Sequence, residues 1–136
     1  MSQKPVPPID PWTAPYWTAA REHRLLIQRC TVCGKHIFYP RRSCPFCFAD
    51  EVAWVEASGR GQIVAFSVVQ NNAPSAFAAD MPFVIAIVRL EEGVQMMTNI
   101  VECELDALHS EMPVTVTFEQ LTETVTLPKF KPLTAP

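Results

Sequence analysis

Four of the five cysteines stand as two closely spaced pairs in the first half of the chain. The first pair has the pattern C-x-x-C-G and the second the pattern C-P-x-C, with ten residues between them. Two residues between thiols let one tight turn direct both sulfur atoms to the same ion, and Gly34 can adopt the left-handed conformation that turns its amide toward a thiolate. The spacing therefore predicts a tetrahedral metal site formed by Cys30, Cys33, Cys44 and Cys47.

Zinc is the metal that this site predicts. The N-terminal residues show no pattern of a secretory signal, which indicates a reducing compartment and favours metal binding over disulfides or free thiols. Iron in a rubredoxin-like site is the redox alternative, but a small fragment without its own core more often uses zinc to hold itself together. A closed site of four cysteines has no open coordination position, so the metal is expected to support folding and not to activate water.

The remaining thiol and the three imidazoles are scattered along the sequence. Cys103 has no nearby histidine to activate it, so it is predicted to be a small buried apolar residue and not a nucleophile. His23, His36 and His109 are predicted to be surface or packing residues. The sequence shows no Ser-His-Asp set, no paired catalytic carboxylates, no phosphate loop and no dinucleotide fingerprint. We therefore predict no catalytic residue here and no catalysis by this chain alone.

The elements that must position the cysteines begin with an arm and a helix. Residues 1–11 are rich in proline and predict an extended arm. A helix is predicted over residues 15–23, with Thr13 as its cap. Trp12, Tyr16 and Trp17 fall on one face of it. That face either docks on the body of the protein or anchors a partner.

After the helix the pattern predicts strands. Segment 24–29 leads into Cys30 and segment 36–39 lies between the cysteine pairs, and the two are predicted to form a hairpin. Gly93 marks a tight turn in a second hairpin. Further strands are predicted over residues 52–57, 62–70, 83–90, 94–101, 114–119 and 122–127. The irregular segment 71–82, about twelve residues long, is a candidate for function, and its apolar part from residue 73 to 81 is a candidate interface together with the proline-rich ends. We predict a mainly β protein with an arm and helix (1–27), a metal ribbon (28–50) and a β-barrel domain (51–136).

Composition limits the partners. The chain of 136 residues is 49% hydrophobic and 18% charged, which is enough apolar material for a core. Its 11 Lys and Arg and 14 Asp and Glu give a net charge of −3 and a pI near 5.6, so no overall positive field recruits nucleic acid or an anionic membrane. No apolar run reaches the length of a membrane span, and the expected location is the cytoplasm.

The order of several short motifs resembles the DUF35 family over nearly the whole chain. These motifs are Tyr16-Trp17-x-Ala19-Ala20, LLIQRC at 25–30, Cys33-Gly34, Phe38-x-Pro40-Arg41, Cys44-Pro45-x-Cys47, Trp54, SGRG at 58–61, Pro82-Phe83-x-Ile85-Ala86 and KFKP at 129–132. The resemblance implies an N-terminal helix, a rubredoxin-like zinc ribbon and a five-stranded OB-fold. Two features depart from the family: Phe48 follows the second cysteine pair where glycine is usual, and the tail has lysines where arginines are common.

The same resemblance implies an accessory or scaffold subunit in a heteromeric complex. Family members bind thiolase-fold enzymes, such as lipid-transfer-protein-like aldolases of steroid side-chain degradation and acyltransferases, or MaoC-like hydratases, and some hold the CoA part of an acyl-CoA. The phosphates and adenine of CoA require Lys or Arg beside an aromatic or apolar surface. The candidates are Arg41, Arg42, Arg60, Lys129, Phe130 and Lys131. Each could equally be an ordinary solvated residue.

Two other functions are compatible with a zinc ribbon joined to an OB-fold. Both modules bind nucleic acid in other proteins, through stacked aromatic rings and basic grooves, although the acidic pI disfavours this alternative here. An iron-loaded ribbon would instead make the chain an electron carrier.

Overall fold

The computed structural model describes residues 9–71 and 75–133. The predictions for residues 1–8, 72–74 and 134–136, which include most of the arm and part of the candidate interface segment, lie outside the described residues. The elements in chain order are helix α1 (Ala14–Arg21) and strands β1 (Leu26–Cys30), β2 (His36–Ile37), β3 (Val52–Glu56), β4 (Arg60–Val69), β5 (Phe83–Leu90), β6 (Gln95–Ile100), β7 (Pro113–Gln120) and β8 (Thr126–Pro132). Two 3₁₀ helices span Ser75–Asp80 and Leu105–Ala107. None of the helices in the described ranges is long and apolar enough to cross a membrane.

The strands form two sheets. A three-stranded sheet has the order β2-β1-β3, and a closed barrel has the order β4-β5-β6-β8-β7. All neighbouring strands are antiparallel except β6 and β8, which are parallel and pair at Ile100 and Phe130. The predicted architecture is therefore confirmed: mainly strands, an N-terminal helix, a cysteine ribbon and a five-stranded OB-like barrel.

Strand β3 belongs to the ribbon sheet. It pairs with β1 from Leu26 opposite Glu56 to Cys30 opposite Val52, although the predicted boundary at residue 51 groups it with the barrel. The amide of Thr31 also donates to the carbonyl oxygen of Glu51 at 2.9 Å. Because the second cysteine pair is held beside the first, the chain that leaves it is already alongside β1 and continues as its partner.

The final strand lies further along the chain than predicted. Segment 122–127 was expected to be a strand, but the structure begins β8 at Thr126. The hydroxyl of Thr122 accepts hydrogen bonds from the amides of Thr124 and Val125 at 3.2 and 3.0 Å, which forms a turn there. A threonine hydroxyl that bonds to nearby amides competes with strand pairing, and this local chemistry outweighs the alternating sequence pattern.

The barrel core follows the alternation of its strands. Strand β5 buries every second residue, and Val88 and Leu90 are among the fully enclosed side chains. Ile63, Val114 and Phe130 meet them from β4, β7 and β8. Each such aliphatic or aromatic side chain contributes about 1.5–3 kcal/mol relative to its exposure to water. This burial fixes the strand register and so decides which residues face outward.

Helix α1 covers one side of this core. Tyr16 is buried and contacts Trp17 and Phe38 edge-on, with ring centroids 4.9 and 5.9 Å apart. Burial raises the pKa of Tyr16. The aromatic face of the helix therefore docks on the body of the protein. Thr13 occupies the N-cap position without capping the helix, because its hydroxyl instead pairs with the backbone of Asp10.

Candidate metal centre and ligand surfaces

The ribbon sheet brings the four predicted cysteine ligands together. Their sulfur atoms all lie within 4.8 Å of one another. The sulfur atoms of Cys30 and Cys47 are 3.5 Å apart, and those of Cys33 and Cys44 are 3.7 Å apart. Zn–S bonds of about 2.3 Å place the corners of a regular tetrahedron about 3.8 Å apart, whereas a disulfide requires about 2.05 Å. The cluster thus has the dimensions of a four-thiolate metal site.

Two equivalent turns, the knuckles 30–34 and 44–48, build this cluster. In the first, the amide of Cys33 donates to the sulfur of Cys30 at 3.4 Å, and in the second the amide of Cys47 donates to the sulfur of Cys44 at 3.5 Å. The amide of Gly34 was expected to face a thiolate, but it donates to the carbonyl oxygen of Cys30 at 2.9 Å. A residue in the left-handed conformation at this position closes the turn through a backbone hydrogen bond. The sulfur of Cys30 accepts its hydrogen bond from the amide of the preceding residue, Cys33.

Phe48 occupies the place of Gly34 in the second knuckle. Its amide donates to the carbonyl oxygen of Cys44 at 2.9 Å, and its φ is +65°, compared with +79° for Gly34. A side chain in the left-handed region costs about 1–2 kcal/mol, which glycine avoids. The departure from the family pattern therefore leaves the turn geometry intact and introduces local strain.

Replacement of Phe48 by glycine is expected to stabilise the fold. The change removes the left-handed strain, whereas the freer unfolded glycine chain offsets about 0.4–1 kcal/mol of that gain. Because the ring is largely exposed, little packing is lost. We expect the free energy of unfolding to rise by about 0.5–1 kcal/mol in chemical denaturation, with metal content unchanged. A fall of more than 1 kcal/mol, about the loss typical of a disruptive change, would show that the ring supports the fold.

The cluster is half enclosed, and the pKa is lowered for its two buried thiols, Cys30 and Cys44. At Cys47 the amide of Ala49 is outweighed by desolvation and by hydrogen bonds with the other thiols, which raise the pKa of that thiol to about 11. Cys30 and Cys44 are buried, whereas Cys33 and Cys47 are exposed. The amide of Cys33, which donates to the sulfur of Cys30, lowers the pKa of that thiol to about 6. Metal ligands must be thiolates, so this backbone arrangement favours the form that binds a cation.

A buried glutamine fixes the loop between the knuckles. Gln28 is almost fully enclosed on β1, where its side-chain amide donates to the carbonyl oxygen of Arg41 at 2.9 Å. Its side-chain oxygen accepts from the amide of Arg41 at 2.7 Å. The two bonds satisfy the backbone N–H and C=O of Arg41, as pairing with a neighbouring strand would. They therefore hold in place the loop that carries Arg41 and Arg42. Sequence reasoning missed it; the available signal was Gln28 itself, an uncharged polar residue directly after the apolar run LLI in the strand LLIQRC.

The predicted CoA-binding residues fall into separate groups. Arg41 and Arg42 lie on the ribbon, and Arg42 sits over the ring of Trp12 at 5.8 Å. Arg60 and Lys131 both pair with Thr115 in the barrel, so they share its outer face. Arg60 lies 3.5 Å from the carboxylate of Glu91.

The other two predicted residues are engaged in the barrel. The ammonium of Lys129, on the same outer face, lies 2.7 Å from the carboxylate of Glu119. Phe130 is fully enclosed in the barrel core. A ligand on the outer surface cannot stack on its ring, so the prediction that Phe130 contacts CoA is wrong. Side chains of a strand alternate between its two faces, and Phe130 therefore points inward while its neighbours Lys129 and Lys131 point outward.

A cleft separates the ribbon from the turn between β5 and β6. This ribbon cleft has a volume of about 590 Å³, and Lys35, His36, Arg41, Phe38 and Phe46 line it beside Glu92. The ammonium of Lys35 lies 4.7 Å from the centre of the Phe46 ring. One oxygen of Glu92 accepts the amide of Ser58 at 2.8 Å. The cleft therefore combines two cations and two aromatic rings with one carboxylate. Lys35, His36 and Phe46 were not among the predicted site residues.

A larger groove lies on the outer face of the barrel. This barrel groove has a volume of about 680 Å³ and lies between β5, β6 and β8, residues 77–82, residues 101–105 and Leu121. Its lining is mainly apolar, with Ile85, Met97 and Leu127 among the residues on its floor, and includes Asp80, Glu102 and Glu119 against the single cation Lys129. An apolar surface with this charge balance suits a neutral apolar group better than phosphates.

The ribbon cleft and the barrel groove are consecutive along β6. Gln95 lines the cleft and Met97 lines the groove, and both face outward from the same strand. At about 3.3 Å per residue, their backbones are about 7 Å apart. Tyr39 lies at the junction, where its hydroxyl accepts a hydrogen bond from the amide of Met97 at 3.2 Å.

These features define a class of protein in which a zinc ribbon is followed by an OB-fold barrel. Comparison with known protein families identifies the same two domains. Residues 17–53 match the family described as "ChsH2, rubredoxin-like zinc ribbon domain". Residues 54–119 match "ChsH2, C-terminal OB-fold domain". A DUF35 domain-containing scaffold protein of Methanocaldococcus jannaschii is 36% identical over 109 residues, which cover 79% of this chain and 77% of that protein. The chain belongs to the DUF35 family.

Two further likenesses concern enzyme complexes. A probable enoyl-CoA hydratase alpha subunit of Thermomonospora curvata is 36% identical over 129 residues, or 95% of this chain. The chain spans only 40% of the length of that relative. A solved structure titled "Ltp2-ChsH2(DUF35) aldolase" contains a chain that is 35% identical, with a TM-score of 0.83 over 93% of this chain and 98% of the other.

Proposed function

We propose that this chain is an accessory subunit of an acyl-CoA-processing enzyme, which it binds and for which it helps to hold the acyl-CoA. The supporting observation is its likeness, over almost the whole length of both chains, to a chain of the aldolase complex described above. The preferred partner is a thiolase-fold enzyme, and a MaoC-like hydratase is the second choice because a relative is named as a hydratase subunit. Such a role requires a rigid surface and a ligand site, which we assign to the ribbon and to the ribbon cleft.

The metal supplies the rigidity in this proposal. Cys30, Cys33, Cys44 and Cys47 would hold Zn²⁺ through four thiolates, as the dimensions of the sulfur cluster and the zinc-ribbon family suggest. Four protein ligands leave no position for water or substrate, so the ion would contribute folding energy alone. Every other step in the proposed role belongs to side chains of this chain and its partner.

The ribbon cleft is the proposed site for the nucleotide part of CoA. Lys35 and Arg41 would bind phosphates, and Phe46 would stack against the adenine. The double hydrogen bond from Gln28 holds the backbone of Arg41 before the ligand arrives, which lowers the entropy cost of binding. The neutral acyl part would continue past Met97 into the apolar barrel groove. The acidic residues of that groove also disfavour the nucleic-acid alternative.

Co-expression with the neighbouring acyl-CoA enzymes tests this proposal. We expect the chain to co-purify in a fixed ratio with a thiolase-fold or hydratase subunit encoded beside it, and the complex to bind CoA in calorimetry. Arg41→Ala is expected to weaken CoA binding about tenfold, the effect of losing one charge-assisted hydrogen bond.

Two further variants locate the CoA site on the chain. Arg24→Ala, a matched control that removes an arginine paired with Glu22 and Glu56, is expected to leave CoA affinity unchanged. A loss with Arg60→Ala and none with Arg41→Ala would move the site to the outer face of the barrel. Absence of any stable complex would count against the accessory role itself.

A further inference from the structure

Strand β6 has one edge along which most residues lack a partner strand. On its other edge it pairs with β5 over its whole length. With β8 it pairs at a single position, where Ile100 lies opposite Phe130. In the part of the chain that the structure describes, no strand is therefore paired with residues 95–98 on the β8 side. We call this stretch of backbone the open edge.

The backbone groups on the open edge belong to alternate residues of β6. The amide of Met97 donates to the hydroxyl of Tyr39, and the amide of Val101 donates to the carbonyl oxygen of Phe130, so both point away from β5. Because the N–H and C=O of a strand residue point to the same edge and alternate along the strand, Gln95 also presents both groups to the open edge. Within residues 9–71 and 75–133, the Tyr39 hydroxyl is the only partner of these groups of Gln95 and Met97.

A proline in β8 keeps this edge open. The carbonyl oxygen of Phe130 points to β6, so Pro128, two residues earlier in the strand, also presents its backbone to β6. In a parallel ladder the next hydrogen bond would run from the amide of residue 128 to the carbonyl oxygen of Met97, but proline has no N–H. The carbonyl oxygen of Pro128 accepts instead from the hydroxyl of Thr98 at 3.3 Å. The open edge therefore follows from the residue type at position 128.

The open edge runs from the ribbon cleft into the barrel groove. Gln95 lines the cleft, and Met97 and Thr98 line the groove. An acyl-CoA that places its nucleotide in the cleft and its acyl group in the groove must cross this edge with its pantetheine arm. That arm carries amide groups, whose N–H and C=O can pair with a strand edge as those of an extended peptide do.

We infer that the open edge binds the pantetheine arm of the acyl-CoA through main-chain hydrogen bonds from Gln95 and Met97. This inference rests on the proposed function and assigns the part of the ligand that lies between the two cavities. The open edge spans residues 95–98 alone, whereas a typical strand has about five or six residues, so it suits a short ligand better than a strand of a partner protein. Its groups are already held by the pairing of β6 with β5, so binding orders little of the chain.

Pro128→Ala tests the inference by restoring the missing donor. The new amide would bond to the carbonyl oxygen of Met97 and compete with the ligand, and this bond offsets the freer unfolded chain, so the melting temperature is expected to stay unchanged. Calorimetry on the zinc-loaded complex with its enzyme partner compares CoA with 3′-phospho-ADP, which is the nucleotide part of CoA. We expect the wild type to bind CoA at least about tenfold more tightly, and Pro128→Ala to lose most of that difference with its affinity for 3′-phospho-ADP unchanged. Pro132→Ala, in the same strand beyond the junction with β6, is the matched control and is expected to bind both ligands like the wild type.

Hydrogen exchange in the wild-type complex provides a second measurement that needs no substitution. The amide of Gln95 has no partner on the open edge, so it is expected to exchange rapidly without ligand. With CoA bound, peptides that cover residues 94–97 are expected to contain an amide that exchanges at least about tenfold more slowly, whereas 3′-phospho-ADP leaves the rate unchanged. Mass spectrometry measures both rates.

The outcomes separate the open edge from the ribbon cleft. Equal affinity of the wild type for CoA and 3′-phospho-ADP, or no protection by CoA, would overturn the role of the open edge and leave the nucleotide site in place. Binding of neither ligand would instead refute the ribbon cleft as the CoA site. Dissociation of the enzyme partner from Pro128→Ala, with CoA affinity retained, would assign the edge to a strand of that partner and would also overturn the inference.

Discussion

Cys44→Ser is expected to release the metal and unfold the ribbon. The thiol of Cys44 is completely buried, and the ribbon's own buried cluster consists of Cys30, Ile37 and Cys44, so the ligands are most of the core. Zinc binding supplies about 10–16 kcal/mol of apparent free energy in zinc-finger peptides, and that energy is folding energy. Loss of one thiolate forfeits a large part of it.

Elemental analysis and hydrogen exchange measure this effect. We expect less than one-tenth of an equivalent of zinc in Cys44→Ser, and rapid exchange of the amides in β1, β2 and β3. Cys103→Ser, whose thiol lies outside the cluster, is expected to keep one equivalent of zinc. A Cys44→Ser protein with full metal and unchanged melting would refute the metal assignment. One equivalent of iron in the wild type would favour the electron-carrier alternative.

Gly61→Ala is expected to destabilise the barrel more than any other glycine substitution in its strands and turns. A Cβ at this position would lie 2.4 Å from the carbonyl oxygen of Arg89 and 2.9 Å from a methyl group of Val88. The obstacle is the backbone of β5, which cannot move without breaking its pairing with β4. Overpacking of this kind costs about 1–3 kcal/mol, and we expect about 3 kcal/mol or more here.

Gly93→Ala is the matched control for this clash. Gly93 has a φ of +97° and no atom within 4 Å of an added Cβ, so alanine there meets backbone strain without a collision. We expect a loss of about 1 kcal/mol for Gly93→Ala. Thermal unfolding followed by circular dichroism compares the two. Equal losses would show that the close contact of β4 and β5 relaxes without cost.

The features that could be predicted from the sequence are those that depend on residues close to one another along the chain. The cysteine spacing predicts the sulfur cluster because each pair needs only a tight turn, and the turn at Gly93 and strand β5 follow from adjacent residues. The family resemblance predicts the order of ribbon and barrel. These features depend on residues close in sequence, for which spacing and alternation are direct physical constraints.

The features that sequence reasoning missed depend on distant residues. The ribbon cleft joins Lys35 and Arg41 to the turn before Gln95, and the pairing of β3 with β1 depends on where the second knuckle leaves the chain. Phe130 was misassigned because alternation alone does not state which face of β8 is inward. The left-handed conformation of Phe48, by contrast, was signalled by its position, because it stands where the family usually has glycine.

The hydroxyl of Tyr39 has a role that extends beyond the ribbon. It accepts a hydrogen bond from the amide of Met97 on β6, three residues before the parallel pairing of β6 and β8 at Ile100 and Phe130. An amide of the barrel thus has its hydrogen-bond acceptor on the loop between the two cysteine knuckles. In the proposed role, withdrawal of the ion would leave this amide to water at the mouth of the barrel groove, so loss of zinc from one half of the molecule would lower ligand affinity in the other.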